Sequence, residues 1–105
     1  MSVKLLNLSK LPKSLNIAGR YVAVVARPDL TVTTGNMGET SYQPPLLELD
    51  LNIPKEMLLE VILHEVLHHI DESHGGQFEL NSDENKTKAL AIALAPVIEQ
   101  LKVCL

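Results

Sequence analysis

"LLELDLNIPKEMLLEVILHEVLHHIDESHGG", residues 46–76, contains a change of hydrophobic period. In its first six residues Leu47, Leu49 and Leu51 fall on one side and Glu48 and Asp50 on the other, the alternation of a strand with one buried face. Asn52 and Pro54 then suit a helix start, with proline in the first turn and Glu56 near the positive end of the helix dipole. From Leu58 onward, Leu59, Ile62, Leu63, Val66, Leu67 and Ile70 recur at helical spacing for about five turns. Gly75 and Gly76 end the run. A strand feeding a long amphipathic helix predicts an α+β domain.

Pro44 and Pro45 precede the strand, and proline cannot donate to a ladder, so Leu47, Glu48 and Leu49 are expected on an edge strand. Upstream, "YVAVVA" (21–26) and "LTVTT" (30–34) are short and β-branched, with "RPD" between them as turn chemistry, which predicts a hairpin. "GNMGETSYQPP" (35–45) reads as a loop that overhangs the strand. Downstream, a second helix opens near Ser82 with Asp83 and Glu84 in its first turn, and Pro96 should kink it or split off its last turns. Together these predict one domain over residues 1–105: a small mixed or antiparallel sheet of about three strands, packed on two helices.

With 46% hydrophobic and 21% charged residues the composition is that of a soluble globular chain. A net charge of −4 with nine scattered basic residues argues against a nucleic-acid partner. No apolar run is long enough for a membrane span, and the first ten residues lack a signal-peptide pattern, so a cytoplasmic protein is expected. The single Cys104 excludes an internal disulfide and reads as a small hydrophobe. Nothing in the sequence sets an oligomeric state.

His64, Glu65 and His68 form H-E-x-x-H on the helix. Residues four apart sit one turn above each other, so both imidazoles can converge on one ion with Glu65 beside it. Zinc suits two neutral imidazoles and a third protein ligand, with a position left open for water. Metal binding lowers the pKa of that water, and Glu65 can take its proton and return it to a leaving amine. Chance alone would place the pattern in roughly a few per thousand chains of this length, before its position on an amphipathic helix is considered. His69 points about 100° away from His68 and is expected to be packed or exposed rather than a ligand. Asp71 could accept a proton from an imidazole nitrogen and fix its tautomer.

The third ligand has several candidates. His74 has the spacing of the metzincin pattern H-E-x-x-H-x-x-G-x-x-H, but Asp71 stands where the glycine should be, and no methionine follows the motif. If the helix runs on to Gly75, His74 lies about 9 Å further along the axis than His68. Glu84, then Asp83, at the start of the next helix are preferred, with Glu79 in the connection as a further possibility. The alternative role of either acidic residue at the helix start is to complement the dipole.

Residues 38–71, "GETSYQPPLLELDLNIPKEMLLEVILHEVLHHID", followed by residues 80–98, "LNSDENKTKALAIALAPVI", resemble the small H-E-x-x-H metallopeptidase-like proteins of bacteriophages and prophages. Those are related at motif level to the ImmA/IrrE type of zinc peptidase. The resemblance implies a minimal zincin-like fold in which His64 and His68 are zinc ligands, Glu65 is the catalytic base and Glu84 is the third ligand, a gluzincin-like site. Pro96 departs from the polar residue usual at its place. A zincin takes an extended peptide or protein substrate by strand addition, here expected at Leu47, Glu48 and Leu49. Tyr42 is a candidate to stabilise the oxyanion of the tetrahedral intermediate, or else a loop anchor.

Three functions are therefore weighed. The first is a zinc-dependent endopeptidase. The second is a non-catalytic zinc-binding interaction module, in which the metal staples a small core. The third is a three-histidine endoribonuclease, which His64, His68 and His74 match in spacing, although Glu65 and Asp71 stand where such enzymes carry glycine.

Overall fold

The computed structural model describes residues 7–102; Cys104 lies outside them. A short 3-10 turn (Leu8–Lys10) leads into strands β1 (Ser14–Ile17) and β2 (Arg20–Arg27). A single helical turn α1 (Leu30–Thr34), strands β3 (Gly38–Tyr42) and β4 (Pro45–Asp50), and two long helices α2 (Lys55–Ser73) and α3 (Glu84–Lys102) complete the chain. The fold is α+β, with one mixed sheet of four strands in the order β1-β2-β4-β3. β4 runs parallel to β2 and antiparallel to β3, and β1 is antiparallel to β2.

Three expectations are corrected. The hairpin joins β1 to β2 instead of residues 21–26 to 30–34. Its turn is Ala18 and Gly19, both at positive φ (54° and 86°), with the Gly19 N–H held by the Asn16 side chain at 2.9 Å. Two central residues at positive φ are what a right-twisted two-residue hairpin needs. "LTVTT" instead coils into α1 because both its ends are satisfied from outside the turn. The Asp50 carboxylate accepts the Thr31 N–H at 2.7 Å, and Gly35 (φ 79°) closes the C-terminus by donating to the Thr31 carbonyl at 2.8 Å. Thr33 and Thr34 turn their hydroxyls back onto carbonyls of the same turn, so β-branching costs little there.

The second correction moves the edge. β4 with Leu47, Glu48 and Leu49 is an inner strand between β2 and β3, and Leu47 and Leu49 are fully buried. Pro45 is tolerated because it is the first residue of the strand, where no ladder bond is lost. The edge is β3, "GETSY", within the segment expected to be a loop. Third, α3 is continuous through Pro96 to Lys102 and is not split.

One face of the sheet carries the core. Leu47 and Leu49 of β4, Val22 of β2 and Ile17 of β1 pack with Leu58 and Ile62 from the first half of α2. The alternation of β4 puts its leucines there and sends Glu48 to the opposite face, where it pairs with Arg27 at 2.7 Å. No helix among the described residues is long and apolar enough to cross a membrane.

Candidate metal centre

His64 and His68 lie one turn apart on α2, and Glu84 is the first residue of α3. The two Nε2 atoms are 3.2 Å apart. The Glu84 carboxylate spans them, with Oε2 2.9 Å from His64 Nε2 and Oε1 2.6 Å from His68 Nε2. A tetrahedral ion with bonds of about 2.0–2.1 Å separates its ligand atoms by about 3.3 Å. The three side chains thus form a group that could hold a metal ion. They line a cleft of about 810 Å³ with Glu65, Thr40 and Tyr42, so a fourth direction from the group opens onto space large enough for a substrate.

The tautomer of His68 fits a metal ligand. Its Nδ1 faces the side-chain oxygen of Asn81, which can only accept, so Nδ1 carries a proton and Nε2 is the nitrogen turned to the group. Asn81 is itself fixed by Asp71. That fully buried carboxylate accepts the backbone N–H groups of Asn81 (2.9 Å), Phe78 (2.8 Å) and Leu80 (2.9 Å), and these bonds, with Asn81 foremost, hold its pKa below the ordinary carboxylate range. Asp71, a candidate to accept directly from an imidazole nitrogen, instead reaches His68 through Asn81. From the other helix, buried Thr87 donates its hydroxyl to the Leu80 carbonyl at 2.7 Å. The connection between α2 and α3 is thereby clamped by one side chain from each, and the clamp sets where Glu84 begins its helix.

Glu65 is almost fully buried, at 5% exposure, where edge strand β3 crosses α2. A Cβ on Gly38 would stand 2.9 Å from Val61 Cγ1 and 3.1 Å from Glu65 Cγ, so glycine permits this approach. Thr40 Oγ1 donates to Glu65 Oε2 at 3.4 Å. Burial pushes the Glu65 carboxyl up to about 7; His68 pulls it down, and Glu84 and Glu39 push it up. A carboxyl with that pKa can both take and return a proton near neutral pH.

Among the other candidates, Asp83 caps α3, accepting the Lys86 N–H at 3.1 Å, and does not join the group. His74 is outside it too: its Nδ1 donates to the Ile70 carbonyl at 2.9 Å and its ring lies against Phe78. Glu79 faces Lys86 at 3.8 Å. His69 is buried, its Nε2 donating to the Leu46 carbonyl at 3.1 Å, and desolvation lowers its pKa. Tyr42 stands edge-on to His69, with ring centroids 5.3 Å apart. Burial, aided by Glu72 and Glu65, raises the pKa of its hydroxyl, so it remains a donor.

Compared with protein-family models, curated proteins and solved structures, the chain matches none of them. Sequence reasoning missed Gly38, Thr40, Asn81 and Thr87. Only Thr87 carried a local signal: it lies three residues after Glu84, where a helix face that must pack admits a short polar side chain with a backbone partner.

Proposed function

We propose that the chain is a zinc-dependent metallopeptidase, with His64, His68 and Glu84 as metal ligands and Glu65 as general base. The observation that carries this reading is the convergence of two imidazole nitrogens and one carboxylate within 3.2 Å, next to the buried carboxyl of Glu65. Zinc held there would make a water nucleophilic near neutral pH and polarise the carbonyl it attacks. Glu65 would take one proton from the attacking water as its oxygen adds to the carbonyl carbon. It would return the proton to the amine nitrogen when the C–N bond breaks. Thr40 keeps the carboxylate in place and Asn81 keeps His68 in the ligating tautomer. Tyr42 supplies a protonated hydroxyl on the cleft wall for the developing oxyanion.

The strand-addition site moves with the sheet edge to β3. The Asp50 N–H donates to the Met37 carbonyl at 2.9 Å, so Met37 and Asp50 form a hydrogen-bonded pair; alternation then turns the peptide groups of Gly38 and Thr40 to the open side. An extended peptide bonded there would lie along α2 beside Glu65. A lone cysteine fits a cytoplasmic setting for this activity, in a host cell if the chain is phage-borne.

The test is hydrolysis of a mixed-peptide substrate by zinc-loaded wild type and by Glu65→Gln. A loss of about a hundredfold or more with zinc content unchanged is expected. Equal hydrolysis by the two proteins contradicts the reading. Zinc binding without hydrolysis by either favours the non-catalytic module.

A further inference from the structure

Arg20 opens β2 and does not line the cleft, yet its side chain reaches the strand that forms the cleft wall. Its guanidinium donates to the main-chain carbonyl of Tyr42, 22 residues away. Pro45, opposite Tyr42 in the register of β3 and β4, has no N–H to give that carbonyl. Arg27 at the other end of β2 pairs with Glu48, whereas Arg20 makes no ion pair among the described residues. Its half-buried charge is directed at one neutral acceptor, at the end of the edge strand.

The ring of Tyr42 is held separately, by α2. It meets His69 edge to face, with centroids 5.3 Å apart and planes at 79°. His69 is itself fixed, being 3% exposed with Nε2 donating to the Leu46 carbonyl at 3.1 Å. Tyr42 thus has its main chain bonded to β2 and its ring packed on α2, and it still lines the cleft beside His68 and Glu65.

We propose that Arg20 is a positioning residue for the reaction: from the β1–β2 hairpin it fixes the end of β3, and thereby the direction in which Tyr42 presents its hydroxyl to the developing oxyanion. The inference rests on the peptidase reading and on the part given there to Tyr42. Such a donor works only where it is aimed at the place the charge will develop, and a misplacement of about 1 Å can cost about a hundredfold in rate. A donor held by neighbours that are themselves locked avoids that loss. Arg20 acts through Tyr42 alone, and it brings into the site a hairpin that neither the H-E-x-x-H motif nor the cleft lining includes.

Placement and turnover are measured separately. The chain has two tyrosines and no tryptophan, and Tyr21 is 71% exposed, so in a Tyr21→Phe background intrinsic fluorescence reports Tyr42 alone. There Arg20→Met should raise acrylamide quenching of Tyr42 towards that of free tyrosine. Arg20→Lys, which can still donate to the carbonyl, should leave it near its starting value. On one peptide cut from the mixture, Arg20→Met should lower kcat about tenfold with KM and zinc content unchanged, and Arg20→Lys should recover most of the loss. Tyr42→Phe should cost about a hundredfold, and adding Arg20→Met to it should change nothing more, because no hydroxyl is left to aim. Quenching that Arg20→Met leaves unchanged overturns the proposal. So does full kcat in Arg20→Met with Tyr42 exposed, or a loss that persists undiminished in Tyr42→Phe. Zinc-loaded wild type that cuts no peptide overturns the peptidase reading and the reaction role of Arg20 with it, while quenching still decides whether Arg20 places Tyr42.

Discussion

The two halves of α2 are built on opposite principles. The first half buries Leu58 and Ile62 against Leu47 and Leu49, an apolar contact whose stability is roughly proportional to area and demands no bond geometry. Each such side chain contributes about 1.5–3 kcal/mol when fully buried. The second half buries Glu65, His68, His69 and Asp71 within seven residues. A buried polar group stabilises only if its bonds are made, and each of these four has a partner: Thr40, Asn81, the Leu46 carbonyl, and three backbone N–H groups. One half therefore holds the fold, while the other uses its burial to fix the direction of donors and the pKa of a carboxyl.

Truncation should affect the halves differently. Leu47→Ala is expected to cost about 2–5 kcal/mol in denaturant unfolding, since Leu47 is fully buried beneath α2. A cost below about 1 kcal/mol would place the main support of the fold elsewhere.

Glu65→Gln should act in the other direction in the metal-free protein. The folded carboxyl has a pKa of about 7 against an ordinary 4.5. Its burial is not penalised below the lower value, is penalised increasingly between the two, and reaches at most about 3 kcal/mol above the higher. Wild type should therefore lose stability as pH rises from 4.5 to about 7 while Glu65→Gln does not. Thermal melts in chelator at about pH 5 and about pH 8 give the comparison. Parallel behaviour of the two proteins would mean that Glu65 is not desolvated.

Asp71→Asn weakens the clamp that places Asn81. We expect zinc affinity to fall about 10- to 100-fold by equilibrium titration while the variant remains folded. Because the pKa of Asp71 is depressed, its contribution is present above the ordinary carboxylate value and lost as pH falls through the folded value. Wild type should therefore destabilise more steeply in acid than Asp71→Asn. Unchanged zinc affinity would separate the clamp from the metal group.

The smallest effect is expected for Gly38→Ala. Its methyl would press on Val61 and Glu65, at a cost of about 1–3 kcal/mol, and should reduce turnover while zinc content is retained. Turnover equal to wild type would show that β3 does not position Glu65.

The same contrast explains what could be read from the sequence. The leucine alternation of residues 46–51 and the helical period through Ile70 are local, and so is H-E-x-x-H, so strand, helix and motif were legible. The sheet was less so. Ala18 in place of asparagine or aspartate concealed a positive-φ hairpin turn, and "LTVTT" became helical because of Asp50, sixteen residues after Thr34. "GETSY" pairs with β4 although its composition is that of a loop. Distinguishing Glu84 from Asp83 required the register between two helices. A connection folded around Asp71 sets that register, and no periodicity records it.

The central claim is that one metal ion sits between α2 and the start of α3, and zinc stoichiometry measured across ligand variants tests it most directly. We expect one zinc per chain in wild type, abolished in His64→Ala and His68→Ala, strongly weakened in Glu84→Ala, and retained in His74→Ala and Asp83→Ala. Wild type without zinc would contradict the account, as would zinc that is lost with His74 and indifferent to Glu84.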